Sequence, residues 1–304
     1  MNTDFAWRKS LIDLAGNRVL PDEPMSRHTT FRIGGRADAF WTPRDTWELA
    51  AGLKLLKDFC VPVTVLGNGS NVLVLDNGIR GCVVSLGSPM ADLSIEGTLL
   101  TVGAGAILGA TANRAAEAGL TGLEFAVGIP GSVGGAIYMN AGAYGGEIKD
   151  ITESVTALMP DGGLKKFTAP DFAFGYRRSV FQDNGAVIVS ADFRLATGNS
   201  EKSFRKMRDI QAKRREKQPL EYPSAGSTFK RPPGYFAGAL IDEAGLKGFT
   251  VGGAQVSEKH AGFVINKGGA TAADVLKLMK AVSDRIYADH GVPLEPEIKI
   301  IGEE

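Results

Sequence analysis

Gly67-Asn68-Gly69-Ser70-Asn71 stands directly between two apolar runs, Val63 to Leu66 and Val72 to Leu75. This placement restricts the fold more than any other feature of the chain. Each run has the length and β-branched content of a short buried strand. Upstream, Thr42-Pro43-Arg44-Asp45 reads as an N-cap, a first-turn proline and a capping-box acid. They open a helix through Leu49, Leu53 and Leu56 that ends near Cys60. The order is therefore helix, strand, glycine loop, strand. In a dinucleotide-binding Rossmann unit a Gly-x-Gly-x-x-Gly loop opens a helix, and neither the spacing nor the sequel fits here. A Rossmann fold is disfavoured.

Further along, Leu99 to Val102 reads as a strand and Ile107 to Ala118 as a helix stopped by Gly119. Gly128 to Gly146 shows neither helical nor strand period, and so long an irregular stretch inside a compact domain is usually functional. Ser154 to Met159 and Leu164 to Thr168, joined at Asp161-Gly162-Gly163, predict a hairpin, and Val187 to Leu195 another strand. Gly198-Asn199-Ser200 marks a boundary. Beyond it Phe204, Met207, Ile210 and Gln211 take up helical period beside a basic face of Lys206, Arg208, Lys213, Arg214, Arg215 and Lys217. A helix over Tyr235 to Ala244, a strand over Gly262 to Ile265, a helix from the capping box Thr271 to Asp274 through Ile286, and a strand over Glu297 to Ile301 complete the pattern.

The 39 glycines concentrate in Gly67 to Gly69, Gly103 to Gly109 and Gly128 to Gly146. Glycine lets a main chain approach a ligand closely, and three such clusters favour ligand loops over ordinary tight turns. The 304 residues allow more than one domain. With 44% apolar and 22% charged residues the profile is globular. Basic and acidic residues balance at 34 each, so no polyanion such as nucleic acid is implied and a phosphorylated ligand needs a local cluster of Lys and Arg. Cys60 and Cys82 lack the spacing of a metal site or disulfide framework, which fits a reducing cytosol. His28, His260 and His290 are scattered, so no metal is expected. The first residues, with Asp4, Trp7 and Arg8, carry no signal-peptide core, and no uncharged run is long enough to cross a bilayer. A cytoplasmic protein without membrane attachment is expected.

Seven segments in order then carry a resemblance: Thr30 to Gly35 (TFRIGG), Leu66 to Asn71 (LGNGSN), Gly128 to Gly135 (GIPGSVGG), Asn140 to Gly145 (NAGAYG), Gly175 to Ser179 (GYRRS), Ser224 to Pro232 (SAGSTFKRP) and Leu294 to Ile298 (LEPEI). Together they resemble the UDP-N-acetylenolpyruvoylglucosamine reductase (UDP-N-acetylmuramate dehydrogenase) family over nearly the whole chain. The resemblance implies an α+β protein. It would have a vanillyl-alcohol-oxidase-type FAD-binding module of two subdomains, over about 30–197, followed by an α+β substrate-binding domain. The expected division is 1–86, 87–197 and 198–304. Tyr176 runs directly into Arg177 and Ser179 without an extra tyrosine loop, as in the shorter, second class of the family.

The activity implied is NADPH-dependent reduction of enolpyruvyl-UDP-N-acetylglucosamine to UDP-N-acetylmuramate through non-covalently bound FAD. It belongs to the synthesis of peptidoglycan precursors, and so to cell-wall growth, cell shape and division. Gly67, Asn68, Gly69, Ser70 and Asn71 would form one pyrophosphate cradle. Gly128, Ile129, Gly131, Ser132, Gly134 and Gly135 would form a second stretch against the cofactor. Hydride delivery to the enolpyruvyl methylene builds charge on the substrate carboxylate. That charge calls for a fixed cation and a second polar group, to which Arg177 and Glu297 correspond by resemblance, with Glu295 a nearby decoy. Ser227 corresponds to the proton donor, since a carbanion is basic enough to take a hydroxyl proton held in reach. Lys217 and Arg231 are expected at the UDP diphosphate, with the rest of the basic helix a solvated face, and Tyr144 at substrate or nicotinamide. With no second dinucleotide motif, NADPH and UDP-sugar would exchange over one flavin face in two steps. A monomer or weak oligomer is expected. The alternative reading is an FAD-dependent alcohol or hydroxy-acid oxidase of the same flavin fold.

Overall fold

The computed structural model describes residues 6–303, so Asp4 lies outside the described residues. The chain divides into two compact units. The first comprises Met1–Pro21, Ala39–Asn68 and Gly81–Ala212, the second Asp22–Asp38, Gly69–Arg80 and Lys213–Glu304. This partition is discontinuous and differs from the three consecutive domains expected. The glycine loop itself is cut between Asn68 and Gly69, and the basic helix between Ala212 and Lys213.

The first unit holds helices α1 (Ala6–Ala15), α2 (Thr46–Asp58), α3 (Leu108–Glu117), α4 (Val133–Tyr138) and most of α5 (Ser200–Lys217). Its main sheet is antiparallel, in the order Leu164–Thr168, Thr152–Leu158, Val187–Arg194, Leu99–Gly103, Leu93–Glu96. The expected hairpin lies at one edge, closed by the Met159 amide on the Gly163 carbonyl at 2.8 Å. Leu100, Val102, Val155, Ala157, Ala191 and Phe193 of this sheet are buried and join Leu108, Val133 and Ile137 in one core.

Two local expectations change here. Helix α2 is capped by Asp45, whose carboxylate accepts from the Glu48 amide at 2.8 Å, and Thr42 remains outside the helix. Glu48, three residues on from the cap, is only 1% exposed and pairs with Arg18 at 2.6 Å. The helix therefore begins at Thr46, later than the proline suggests. The strand Val63–Leu66 is not buried: only Leu66 is, while Val63 and Val65 face solvent. It forms the edge of a four-stranded sheet and pairs in parallel with Ile79–Ser85 alone.

The second unit contains a four-stranded antiparallel sheet in the order Ser224–Ser227, Phe263–Asn266, Ala254–Val256, Thr250–Val251. It also holds α6 (Ala237–Glu243) and α7 (Ala272–His290). Val275, Leu278, Met279, Val282 and Ile286 recur at helical spacing on one face of α7 and are buried. Burial of each such side chain contributes roughly 1.5–3 kcal/mol. The capping box is formed as expected, Thr271 accepting from the Asp274 amide and Asp274 from the Thr271 amide. Asp76 adds a carboxylate that accepts from the amides of Ala272 and Ala273 at 2.8 and 2.9 Å. That pair of bonds ties the segment after the glycine loop to the C-terminal residues. Lys299–Ile301 pairs in parallel with Val72–Val74, continuing the tie.

Candidate active site

In the first unit the Gly128–Gly146 stretch is ordered, contrary to the expectation of an irregular segment. Ser132 caps α4, its hydroxyl accepting from the Gly135 amide at 3.2 Å, and Val133, Ala136 and Ile137 bury one face. Six residues containing two glycines are too few to show a period. Gly134 packs closely, since a Cβ there would lie 3.0 Å from the Ala104 Cβ, tighter than such atoms ordinarily meet. Gly67 faces the same helix, because a Cβ on it would run into the Ser132 hydroxyl. Asn68 donates from its side chain to the Pro130 carbonyl at 2.6 Å. Gly67, Asn68, Pro130, Ser132 and Gly135 therefore form one surface in this unit. Gly128 and Ile129 close the 3-10 turn beneath it, the Ile129 amide donating to Ala126.

Arg177 sits in the tight turn Gly175–Arg178, where the Gly175 amide donates to the Arg178 carbonyl at 3.0 Å and the Arg178 amide returns a bond at 3.2 Å. Its φ is +56°, a left-handed conformation uncommon for a side chain of this size. The guanidinium lies 5.0 Å from the Tyr176 ring centroid, a cation–π contact that orients it. The Gln182 side-chain amide donates to the Arg177 carbonyl at 2.9 Å and to the Tyr138 carbonyl at 2.8 Å, and the Ser179 hydroxyl also donates to Tyr138. Tyr144 is at the tip of a hairpin, Gly142–Ala143 against Gly146–Glu147. Tyr144 and Gly145 have φ of +52° and +85°, as the primed hairpin turns require. The ring is 44% exposed, so it is not a core aromatic.

In the second unit Ser227 ends the strand Ser224–Ser227 with its side chain exposed. The next residue, Thr228, accepts a bond from the Glu297 amide at 2.8 Å, and Phe229 bridges Pro296. Backbone pairing thus brings the Ser227 and Glu297 segments, 70 positions apart in sequence, side by side. The Asn71 side-chain amide donates to the Glu297 carbonyl at 3.3 Å, and the Lys299 amide to the Asn71 carbonyl at 2.9 Å. Glu295 is exposed and paired with Lys230 at 2.9 Å. Arg231 lies over the Phe236 ring, 3.9 Å from its centroid. Lys217 is the exposed last residue of α5.

Each unit, taken by itself, presents amides that fit a group rich in phosphate oxygens. Among the described residues, the amide N–H groups of Asn68, Gly131 and Ser132 in the first unit, and of Gly69 and Ser70 in the second, meet no acceptor in the chain. Gly69 is buried with φ +60°, and a Cβ on it would run into the His28 carbonyl. Amides without chain partners beside obligatory glycines are what a pyrophosphate needs. Among the described residues no group of three His, Cys, Asp or Glu is placed to hold a metal, and no helix is long and apolar enough to cross a membrane.

Comparison with known proteins agrees. The UDP-N-acetylenolpyruvoylglucosamine reductase of Agathobacter rectalis is 53% identical over 297 residues, covering 94% of each chain. The chain belongs to the UDP-N-acetylenolpyruvoylglucosamine reductase family. The Clostridioides difficile member is 45% identical over the full length of both chains. The C-terminal domain of this reductase family matches residues 218–301, and the FAD binding domain family matches residues 37–168. The crystal structure of the reductase from Thermus caldophilus superposes with a TM-score of 0.81 at 38% identity, covering 92% of this chain and 98% of that one. The α+β fold with an FAD-binding module is therefore that of the reductase family, and the oxidase alternative is not favoured. Reading the sequence missed Asn140, Glu147, Ser179 and Gln182, the supports of the Arg177 turn. Two of them, the buried Asn140 in the NAGAYG segment and the buried Ser179 in the GYRRS segment, lay in stretches already singled out.

Proposed function

We propose that this chain reduces enolpyruvyl-UDP-N-acetylglucosamine to UDP-N-acetylmuramate, using NADPH and non-covalent FAD, with Arg177, Ser227 and Glu297 as the catalytic side chains. The observation that carries the residue assignment is the pairing of the Ser227 and Glu297 segments through the Glu297 amide and the Thr228 carbonyl, inside the stretch matched by the reductase C-terminal domain. FAD held by the glycine loops would supply the hydride chemistry that links NADPH to the enolpyruvyl group. The guanidinium of Arg177 binds the substrate carboxylate through two parallel bonds and stabilises the charge that collects there. Glu297 supplies the second polar contact to the developing enolate. The Ser227 hydroxyl gives its proton to the neighbouring carbon, and solvent restores it.

The Asn68–Ser70 and Gly131–Ser132 amides hold the pyrophosphate, with Gly67, Asn71, Gly128, Ile129, Gly134 and Gly135 shaping the loops that present them. Lys217 and Arg231 meet the UDP diphosphate, and Tyr144 the substrate. The protein acts in the cytoplasm as a monomer or weak oligomer. Anaerobic absorbance of the purified holoprotein tests the reading. NADPH should bleach the flavin, and enolpyruvyl-UDP-N-acetylglucosamine should restore it. Bleaching without recovery sinks the substrate assignment.

A further inference from the structure

Three non-glycine residues with positive φ, Asn140 at +42°, Tyr144 at +52° and Arg177 at +56°, belong to one hydrogen-bonded cluster of the first unit. Such conformations are unfavourable for ordinary side chains and persist where the surroundings over-determine them. Asn140 is at the centre. It follows the last turn of α4, its amide donating to the Ile137 carbonyl, which places it where a left-handed residue, usually glycine, terminates a helix. Glycine would satisfy the backbone there, so the side chain needs its own explanation.

The Asn140 side chain is 1% exposed and fully committed as a donor. Its NH2 group donates to the Gly175 carbonyl at 3.0 Å and to the Glu147 carboxylate at 3.0 Å, while its oxygen accepts from the Lys149 amide at 3.0 Å. Gly175 opens the turn whose inner residues are Tyr176 and Arg177. Glu147 closes the hairpin whose tip is Tyr144. One buried amide thus fixes the bases of two turns. Glu147 also accepts from Lys149 at 2.7 Å, and that bond, then Asn140, and finally the field of Arg177 hold its carboxyl below the usual range.

We infer that Asn140 is a positioning residue, which through the Gly175 carbonyl sets the Arg177 guanidinium for the substrate carboxylate. The inference rests on the assignment of Arg177 given above. Being buried with both donors occupied, Asn140 acts through these partners and has no contact with substrate. A turn displaced by an ångström or so costs on the order of 100-fold in rate when it carries an orienting group.

Asn140→Gly keeps the left-handed backbone and deletes the amide. In the holoenzyme, flavin reduction by NADPH should stay within about 2-fold of wild type, while reoxidation by enolpyruvyl-UDP-N-acetylglucosamine should slow by about 30-fold. In an Arg177→Ala background the same change should add less than about 2-fold, because the residue through which it acts is gone. Equal slowing in both backgrounds, or no slowing in either, overturns the inference while leaving Arg177 in place. If Arg177→Ala itself reoxidises at the wild-type rate, the assignment of Arg177 fails and the inference with it. Should Asn140→Gly not fold, Asn140→Asp retains the bulk and the left-handed tolerance but loses both donors, and the same double-variant comparison applies.

Discussion

Arg177 and Tyr144 in the first unit sit on turns with φ of +56° and +52°, whereas Ser227 and Glu297 in the second sit on extended segments joined by a backbone bond of 2.8 Å. The first arrangement stores strain and needs side-chain hydrogen bonds to hold it, here from the buried Asn140 and Ser179 and the half-buried Gln182. The second is a continuation of sheet pairing, and any residue with an amide can occupy the position of Glu297 without disturbing it. On the proposed assignment, function in the first unit is sensitive to residues that support a turn, and in the second to the reacting side chains themselves.

The comparison sharpens most at Glu297. Glu297→Ala should lower kcat by about 10²–10⁴-fold, with thermal stability unchanged because the backbone makes the bond to Thr228. A loss of stability instead would show the side chain to be structural. Gly69→Ala comes next. At φ +60° its Cβ meets the His28 carbonyl, so FAD affinity measured by fluorescence quenching should fall by about 10- to 100-fold. Gly97→Ala is the control, with the same φ of +60° but open space around the Cβ, and it should leave FAD binding unchanged.

Glu124 provides a third test in the first unit. It is 3% exposed; burial pushes its carboxyl up, yet hydrogen bonds from Thr121, Ser203 and the Gly122 amide outweigh that and hold it at about 2, below the ordinary 4.5. A folded-state value below the unfolded one means stability fully present above about pH 4.5 and lost as pH falls towards 2. Glu124→Gln should cost about 2 kcal/mol at pH 7 in chemical denaturation and flatten the acid limb. An unaltered acid limb would contradict the assignment. The smallest effect belongs to Arg208→Ala on the exposed face of α5, where stability and KM should change by no more than about 0.5 kcal/mol.

The glycine loop between strands, the hairpin and the α7 capping box were legible because each is a local pattern, whereas Arg177, Ser227 and Glu297 were singled out by resemblance alone and their roles belong to the proposal. The buried edge strand was misread because Val63 and Val65 are β-branched whether a strand is central or at an edge. Helix α4 was hidden by its two glycines, which serve packing against Ala104 and Ser132. The division into units was hidden for a deeper reason: Asp76 and the Val72–Val74 strand bind partners some 200 and 227 positions away. Pairings of that separation leave no trace in local period. The supports of Arg177 fall in the same class, since Asn140 reaches Gly175 across 35 positions.

The most direct test is the split between half-reactions in Ser227→Ala. Measured by anaerobic stopped flow, flavin reduction by NADPH should proceed at the wild-type rate and FAD absorbance should be intact. Product formation with enolpyruvyl-UDP-N-acetylglucosamine should fall by about 10²–10⁴-fold. Reoxidation and product formation at the wild-type rate would contradict the assignment of Ser227 as proton donor.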